Sequence, residues 1–210
     1  EALLAASAPW AGAWRPFARL GGPVPLPTLD GRPSLWQVRR SLRSRIGHRV
    51  EDVQGGPDAL RQYSGVKLLP HMDGFPESQW LDAITEFDLP VLIHCGEHVP
   101  PASIEHSLIR RLRTPIVLGH LGSFPASMPH LLQAIELAER YPHVLLETSA
   151  CWLAEFVALA SRRVPEQLIF GSDAPLMHPT VAWNLVATSV DNDALCERIA
   201  HGTAEQVLGW

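Results

Sequence analysis

Val91-Leu92-Ile93-His94-Cys95-Gly96 and Ile116-Val117-Leu118-Gly119-His120-Leu121-Gly122 decide how this chain folds. Each is a short apolar run that ends in a histidine and a glycine-bearing turn. A run that is apolar at every position predicts a strand buried on both faces, as in a parallel sheet. The theme recurs outward: Gly65-Val66-Lys67-Leu68-Leu69 precedes these two runs, and Val144-Leu145-Leu146-Glu147 and Leu168-Ile169-Phe170-Gly171-Ser172-Asp173 follow them. The intervening segments have helical period. Trp80, Leu81, Ile84 and Phe87 form one predicted face, Ile104, Leu108 and Leu112 a second, and Met128, Leu131, Leu132 and Ile135 a third. Pro76, Pro101 and Pro179 fall near predicted helix starts, where a missing N–H costs little. Strand alternating with helix predicts right-handed βαβ units on a parallel sheet.

The spacing of polar strand ends is the strongest regularity. Lys67 and His94 are 27 residues apart, His94 and His120 are 26, and His120 and Asp173 are 53, which Glu147 divides into 27 and 26. Each repeat thus delivers one ionisable side chain to a strand's C-terminal end. In a closed α/β barrel those ends converge on one mouth, where such folds place their chemistry. The expected fold is therefore α/β, a TIM-like (β/α)8 barrel.

Upstream the period breaks. Ala13–Leu20 reads as a strand preceded by a helix at Glu1–Ser7, and a second helix is predicted around Ser34–Arg45 within an irregular Pro/Gly/Arg-rich stretch at about 21–63. Six strands are legible, and the first two of an eight-stranded barrel are not found. Residues 1–210 are expected to form a single domain.

The chain has 210 residues, 46% hydrophobic and 19% charged, the balance of a globular protein. A net charge of −5 argues against nucleic acid as a partner. No run of eighteen apolar residues predicts a membrane span, and no leader pattern is visible. Three widely spaced cysteines, Cys95, Cys151 and Cys196, suit a reducing cytoplasm better than a disulfide framework. A small-molecule substrate is expected, with a homo-oligomer or a completing chain as a further partner.

His94, His120 and Asp173 form the candidate metal site, since neutral imidazoles and a carboxylate suit zinc or manganese. A bound metal would lower the pKa of its water and create a nucleophile. Lys67, the one lysine among 17 basic residues, has three readings: carboxylated metal bridge, cationic holder of an anionic substrate, or structural partner of a carboxylate such as Glu147. His71, His98 and His178 follow strands by a few residues and are placed on loops over the same mouth, His71 and His178 as substrate contacts. Cys95 reads as a small buried apolar residue. The basic run from Arg39 to Arg49 reads as a solvated helix face before an anion grip.

These motifs, with Phe170-Gly171-Ser172-Asp173-Ala174-Pro175 and the closing Ile199-Ala200-His201-Gly202-Thr203-Ala204-Glu205-Gln206-Val207-Leu208-Gly209, resemble the later strands and last helix of the amidohydrolase-related metal-dependent hydrolases. The resemblance covers residues 64–210 well and 1–20 loosely. It implies a metal-bearing barrel that hydrolyses C–N or C–O bonds or, in one branch, decarboxylates aromatic or unsaturated acids. By that resemblance His94 would be a metal ligand, with zinc expected before manganese. His120 would be a second ligand or the general base, and Asp173 a ligand and proton shuttle. The family's first-strand His-x-His pair has no counterpart in this sequence. Three expectations follow: the pair lies outside this sequence, another chain supplies it, or the barrel is degenerate and binds a small molecule or partner subunit without a metal. A pocket that runs metal-free acid–base chemistry on His120 and Asp173 is the remaining alternative.

Overall fold

The computed structural model describes residues 17–20, 55–174 and 176–209. The predicted helices at Glu1–Ser7 and Ser34–Arg45 and the arginine run lie outside them. Six parallel strands make one sheet in chain order: β1 (Phe17–Leu20), β2 (Gly65–Leu68), β3 (Val91–Ile93), β4 (Ile116–Leu118), β5 (Val144–Glu147) and β6 (Leu168–Ile169). Every neighbouring pair is parallel. This is the successive-strand order of a TIM-type α/β barrel, the expected fold. Among the described residues, β1 and β6 are its edges.

The two faces of the sheet differ. Val66, Leu68, Val91, Ile93, Ile116, Leu118, Val144 and Leu146 are all 0% exposed, because alternate side chains point at the helices. The helices are α1 (Pro70–Asp73), α2 (Ser78–Glu86), α3 (Pro101–Ile104, prolonged by a π turn over Glu105–Ile109) and α4 (Met128–Arg140). They continue with α5 (Ala154–Arg163), α6 (Pro179–Ser189), α7 (Asp193–Glu197) and α8 (Thr203–Leu208). Ile104, Leu108 and Leu112 are fully buried, as their spacing predicts. On α4 the predicted face is rotated: Met128 and Leu132 are exposed, and the buried stripe is Leu131, Ala134, Ile135 and Ala138. Small alanines lie where the helix approaches its neighbours, and a reading based on large residues passes over them.

The opposite face carries a row set by register: Lys67 is aligned with Leu92, Leu92 with Val117 and Val117 with Leu145. Two strand ends differ from expectation. β4 stops at Leu118 because His120 and Leu121 take left-handed backbone angles, φ 61° and 52°. β6 stops at Ile169 because the Phe170 N–H donates to the carbonyl of Ile199, in the C-terminal helical segment, at 2.9 Å. No helix among the described residues is long and apolar enough to cross a membrane.

Candidate active site

Chain turning at the C-terminal strand ends builds the site. His120 and Leu121 after β4, Ala150 after β5 and Asp173 after β6 all have positive φ. Non-glycine residues pay for that conformation, and such strain gathers at functional sites. His120 is held in it on both sides: its N–H donates to Glu147 Oε2 at 3.1 Å, and its carbonyl accepts from the Ser123 N–H at 3.0 Å.

His120 is 5% exposed, and its ring sits in a chain of hydrogen bonds. Ser149 Oγ donates to Glu147 Oε2 at 2.7 Å, because a carboxylate only accepts. His120 Nδ1 lies 2.9 Å from the same Oγ, which has given its proton to Glu147, so Nδ1–H is the donor. Nε2 of the neutral ring is then an acceptor, and His94 Nδ1, 2.9 Å away, donates to it. His94 is left with Nε2 as a bare lone pair. Burial, then the fields of His120, His71 and Lys67, push the His94 pKa down to about 3. Burial also lowers that of His120, against the attraction of Glu147 and Asp173. Both rings are neutral at pH 7, as the chain requires.

His71, on α1, has its ring centroid 4.5 Å from that of His94. Both line a cavity of about 250 Å³ with Glu97, His98, Phe124 and Pro125. Phe124 also stands against the rings of His94 and His120, at 6.2 and 5.4 Å. The structure thus brings His71, His94 and His120 together, with His71 on α1 where a loop was expected.

The other predicted residues are placed differently. Lys67 lies one layer below the mouth: its aligned partner is Leu92, two residues before His94. Burial lowers its pKa, against attraction by Glu147, Cys95 and Asp173. The Glu147 oxygens are engaged by His120 and Ser149, and no ion pair to Lys67 is found among the described residues. Asp173 is exposed and reaches His120 through its charge, with no hydrogen bond between them. His178 is an exposed N-cap whose Nδ1 accepts from the Thr180 N–H at 3.2 Å, starting α6, and it does not line the cavity. Cys95 is fully buried and its thiol pKa is pushed far up, first by burial. That is the behaviour of an inert packing residue.

The expected metal centre meets a difficulty in the donor set. Among the described residues no group of three His, Cys, Asp or Glu side chains could hold a metal ion. His120 spends both ring nitrogens on Ser149 and His94, which leaves His94 Nε2 as the bare nitrogen of the pair. Two residues that matter were missed as a unit. Glu147 was legible as a polar strand end, and Ser149 two residues later carried a signal only once the turn after β5 was known.

The amidohydrolase family model matches residues 15–210. Structures with the same fold include a probable 2-pyrone-4,6-dicarboxylic acid hydrolase from Acinetobacter baumannii, solved with citric acid bound. It has 14% identity, covers 100% of this chain and 78% of its own, and has a TM-score of 0.60. The 5-carboxyvanillate decarboxylase of Sphingomonas paucimobilis has 14% identity, coverage of 98% and 82%, and a TM-score of 0.54. An amidohydrolase from Bifidobacterium longum subsp. infantis has 12% identity, coverage of 82% and 75%, and a TM-score of 0.56. No curated protein matches the sequence. At these identities the structures speak for the fold, and the sequence match over nearly the whole chain places it in the amidohydrolase family.

Proposed function

We propose that the mouth of this sheet carries acid–base chemistry on a small carboxylated organic molecule, by hydrolysis of a C–N or C–O bond or by loss of carbon dioxide. The observation that carries the reading is the hydrogen-bonded pair His120 Nε2···His94 Nδ1, 2.9 Å apart. His94 lines the cavity and keeps an unprotonated Nε2. A proton arriving at Nε2 would let Nδ1–H pass to His120 Nε2, and the charge would be stabilised through Ser149 by Glu147. His120 and His94 are thus the proposed catalytic residues, with His71 beside them as a substrate contact.

The substrate class rests on the surroundings. Burial, then the fields of His120, His71 and Lys67, keep His94 unprotonated, and an anion as the occupant would offset the part of this that is charge repulsion. The hydrolase and decarboxylase of like fold are named for carboxylated compounds, which supports the same class. Lys67, below the mouth, would add long-range attraction rather than a direct grip. Zinc, or manganese after it, would find His94 Nε2 here and needs donors beyond the described residues. Asp173 would tune His120 by its charge.

The test is turnover by the purified chain against a panel of lactones, N-acyl amides and aromatic carboxylic acids, with elemental analysis on the same sample. We expect turnover that falls about 100-fold or more in His120→Asn. Activity that survives exhaustive chelation assigns the chemistry to the histidine pair, whereas loss restored by added zinc or manganese shows that further donors complete a metal site. A folded protein that turns over no member of the panel overturns the enzymatic reading in favour of a binding barrel.

A further inference from the structure

Glu147 serves more partners than a strand-end carboxylate needs for packing. Its Oε1 accepts the Ser149 N–H at 2.8 Å, and its Oε2 accepts both the Ser149 hydroxyl at 2.7 Å and the His120 N–H at 3.1 Å. One carboxylate therefore grips the backbone of His120 directly and its ring through Ser149. Three donors converge on two oxygens, which a primary amide cannot reproduce. In either orientation of a glutamine, its NH₂ would face an N–H or O–H donor.

The seat for this carboxylate comes from β6. A Cβ placed on Gly171 would overlap Glu147 Oε1 outright and crowd its Cδ and Cγ. Gly171 follows β6 by two residues, so the chain just beyond the adjacent strand carries no side chain where Glu147 must pass. The seat, the three donors and the left-handed backbone of His120 all belong to one arrangement.

We infer that Glu147 is the positioning residue of His120, setting its backbone angle and its ring tautomer together, with Ser149 as the link and Gly171 as the space that admits the carboxylate. The inference rests on the proposed role of His120 and adds how that ring is aimed. Strain at His120 and Leu121 would be released toward ordinary angles without the Glu147 contact. The ring, without Ser149, would lose what distinguishes Nδ1–H from Nε2–H.

The experiment reads the tautomer directly and needs no substrate. The whole protein is labelled with ¹⁵N-histidine, and the His120 ring signals are assigned by their absence in His120→Asn. In the parent protein Nδ1 is expected to be the protonated nitrogen and Nε2 the bare one. In Ser149→Ala and Glu147→Gln the Nδ1–H form should lose its dominance, while Ser149→Thr, which keeps the hydroxyl, should retain it. Gly171→Ala should act like Glu147→Gln. Where the panel yields a substrate, kcat should fall on the order of 10- to 100-fold in Ser149→Ala with KM little changed. Circular dichroism on each sample verifies the fold, and Ser149→Ala, which removes one atom, covers the case in which Glu147→Gln fails to fold. An Nε2–H tautomer in the parent protein, or an unaltered tautomer in folded Ser149→Ala, overturns the inference. A parent protein inactive on the panel but with the expected tautomer shift would reject the enzymatic reading and leave the positioning role standing.

Discussion

At the scale of single residues, His94 links the site to stability. Its pKa of about 3 in the folded chain lies below the ordinary 6.5. Between those values the unfolded chain binds a proton that the folded chain refuses. Stability is therefore full above about pH 6.5 and falls as pH drops toward 3, with a slope approaching about 1.4 kcal/mol per pH unit. His120, also lowered by burial, acts in the same direction. Urea unfolding between pH 8 and pH 5 should show this decline, and His94→Asn should reduce its slope, leaving the contribution of His120. A wild-type free energy that is constant below pH 6.5 would show that the rings are not held neutral. The candidate histidines were legible because each ends an apolar run at a fixed interval. Their tautomers were not, because these depend on Ser149 and Glu147, which are distant from His94 in sequence and meet it only across three strands.

Between elements, the joints matter more than the propensities. Gln167, just before β6, spans the end of α4 and the start of β5. Its Nε2 donates to the carbonyls of Ala138 and Val144, both at 2.7 Å. Gln167→Ala would leave these acceptors without their donor and should cost about 1–3 kcal/mol, measured by chemical denaturation. Leu118, fully buried at the end of β4, should cost about 2–5 kcal/mol on truncation to alanine. If Gln167→Ala proved neutral and Leu118→Ala did not, the α4–β5 joint would be held by packing alone. The strands were predicted in number, order and direction from hydrophobic runs. Their ends were not, because β4 and β6 are cut short by left-handed turns and by a bond to the last helical segment, neither of which is a property of the run itself.

For the molecule as a whole, the core outweighs the surface charges. The helix-facing side of the sheet is closed to solvent, whereas ion pairs such as Arg61–Glu86 and Arg111–Asp82 have largely exposed side chains. Exposed pairs contribute about 0–1 kcal/mol and are screened by salt. We therefore expect Arg61→Ala to shift stability by no more than about 1 kcal/mol. Addition of 0.5 M NaCl should leave the unfolding midpoint nearly unchanged. A large salt-dependent loss would mean that the charge network holds elements together. The register across the sheet, meanwhile, sorts polar strand residues into layers. It sets Lys67 one layer below His94 and Glu147, a distinction that sequence spacing of 26 or 27 residues does not make.

From sequence alone came the parallel α/β architecture, the six strands, the family, and the histidines that gather at one end. Those follow from local hydrophobic pattern and from a repeat length, which a chain carries whatever its partners. Tertiary structure decided which residues act together. His94, His120, Ser149 and Glu147 share one hydrogen-bonded line, Asp173 and His178 stand apart from it, and Gly171 gives Glu147 its seat. Hydrogen bonds need atoms within about 3 Å, and that proximity is set by register, by backbone turns and by the space left beside a missing side chain.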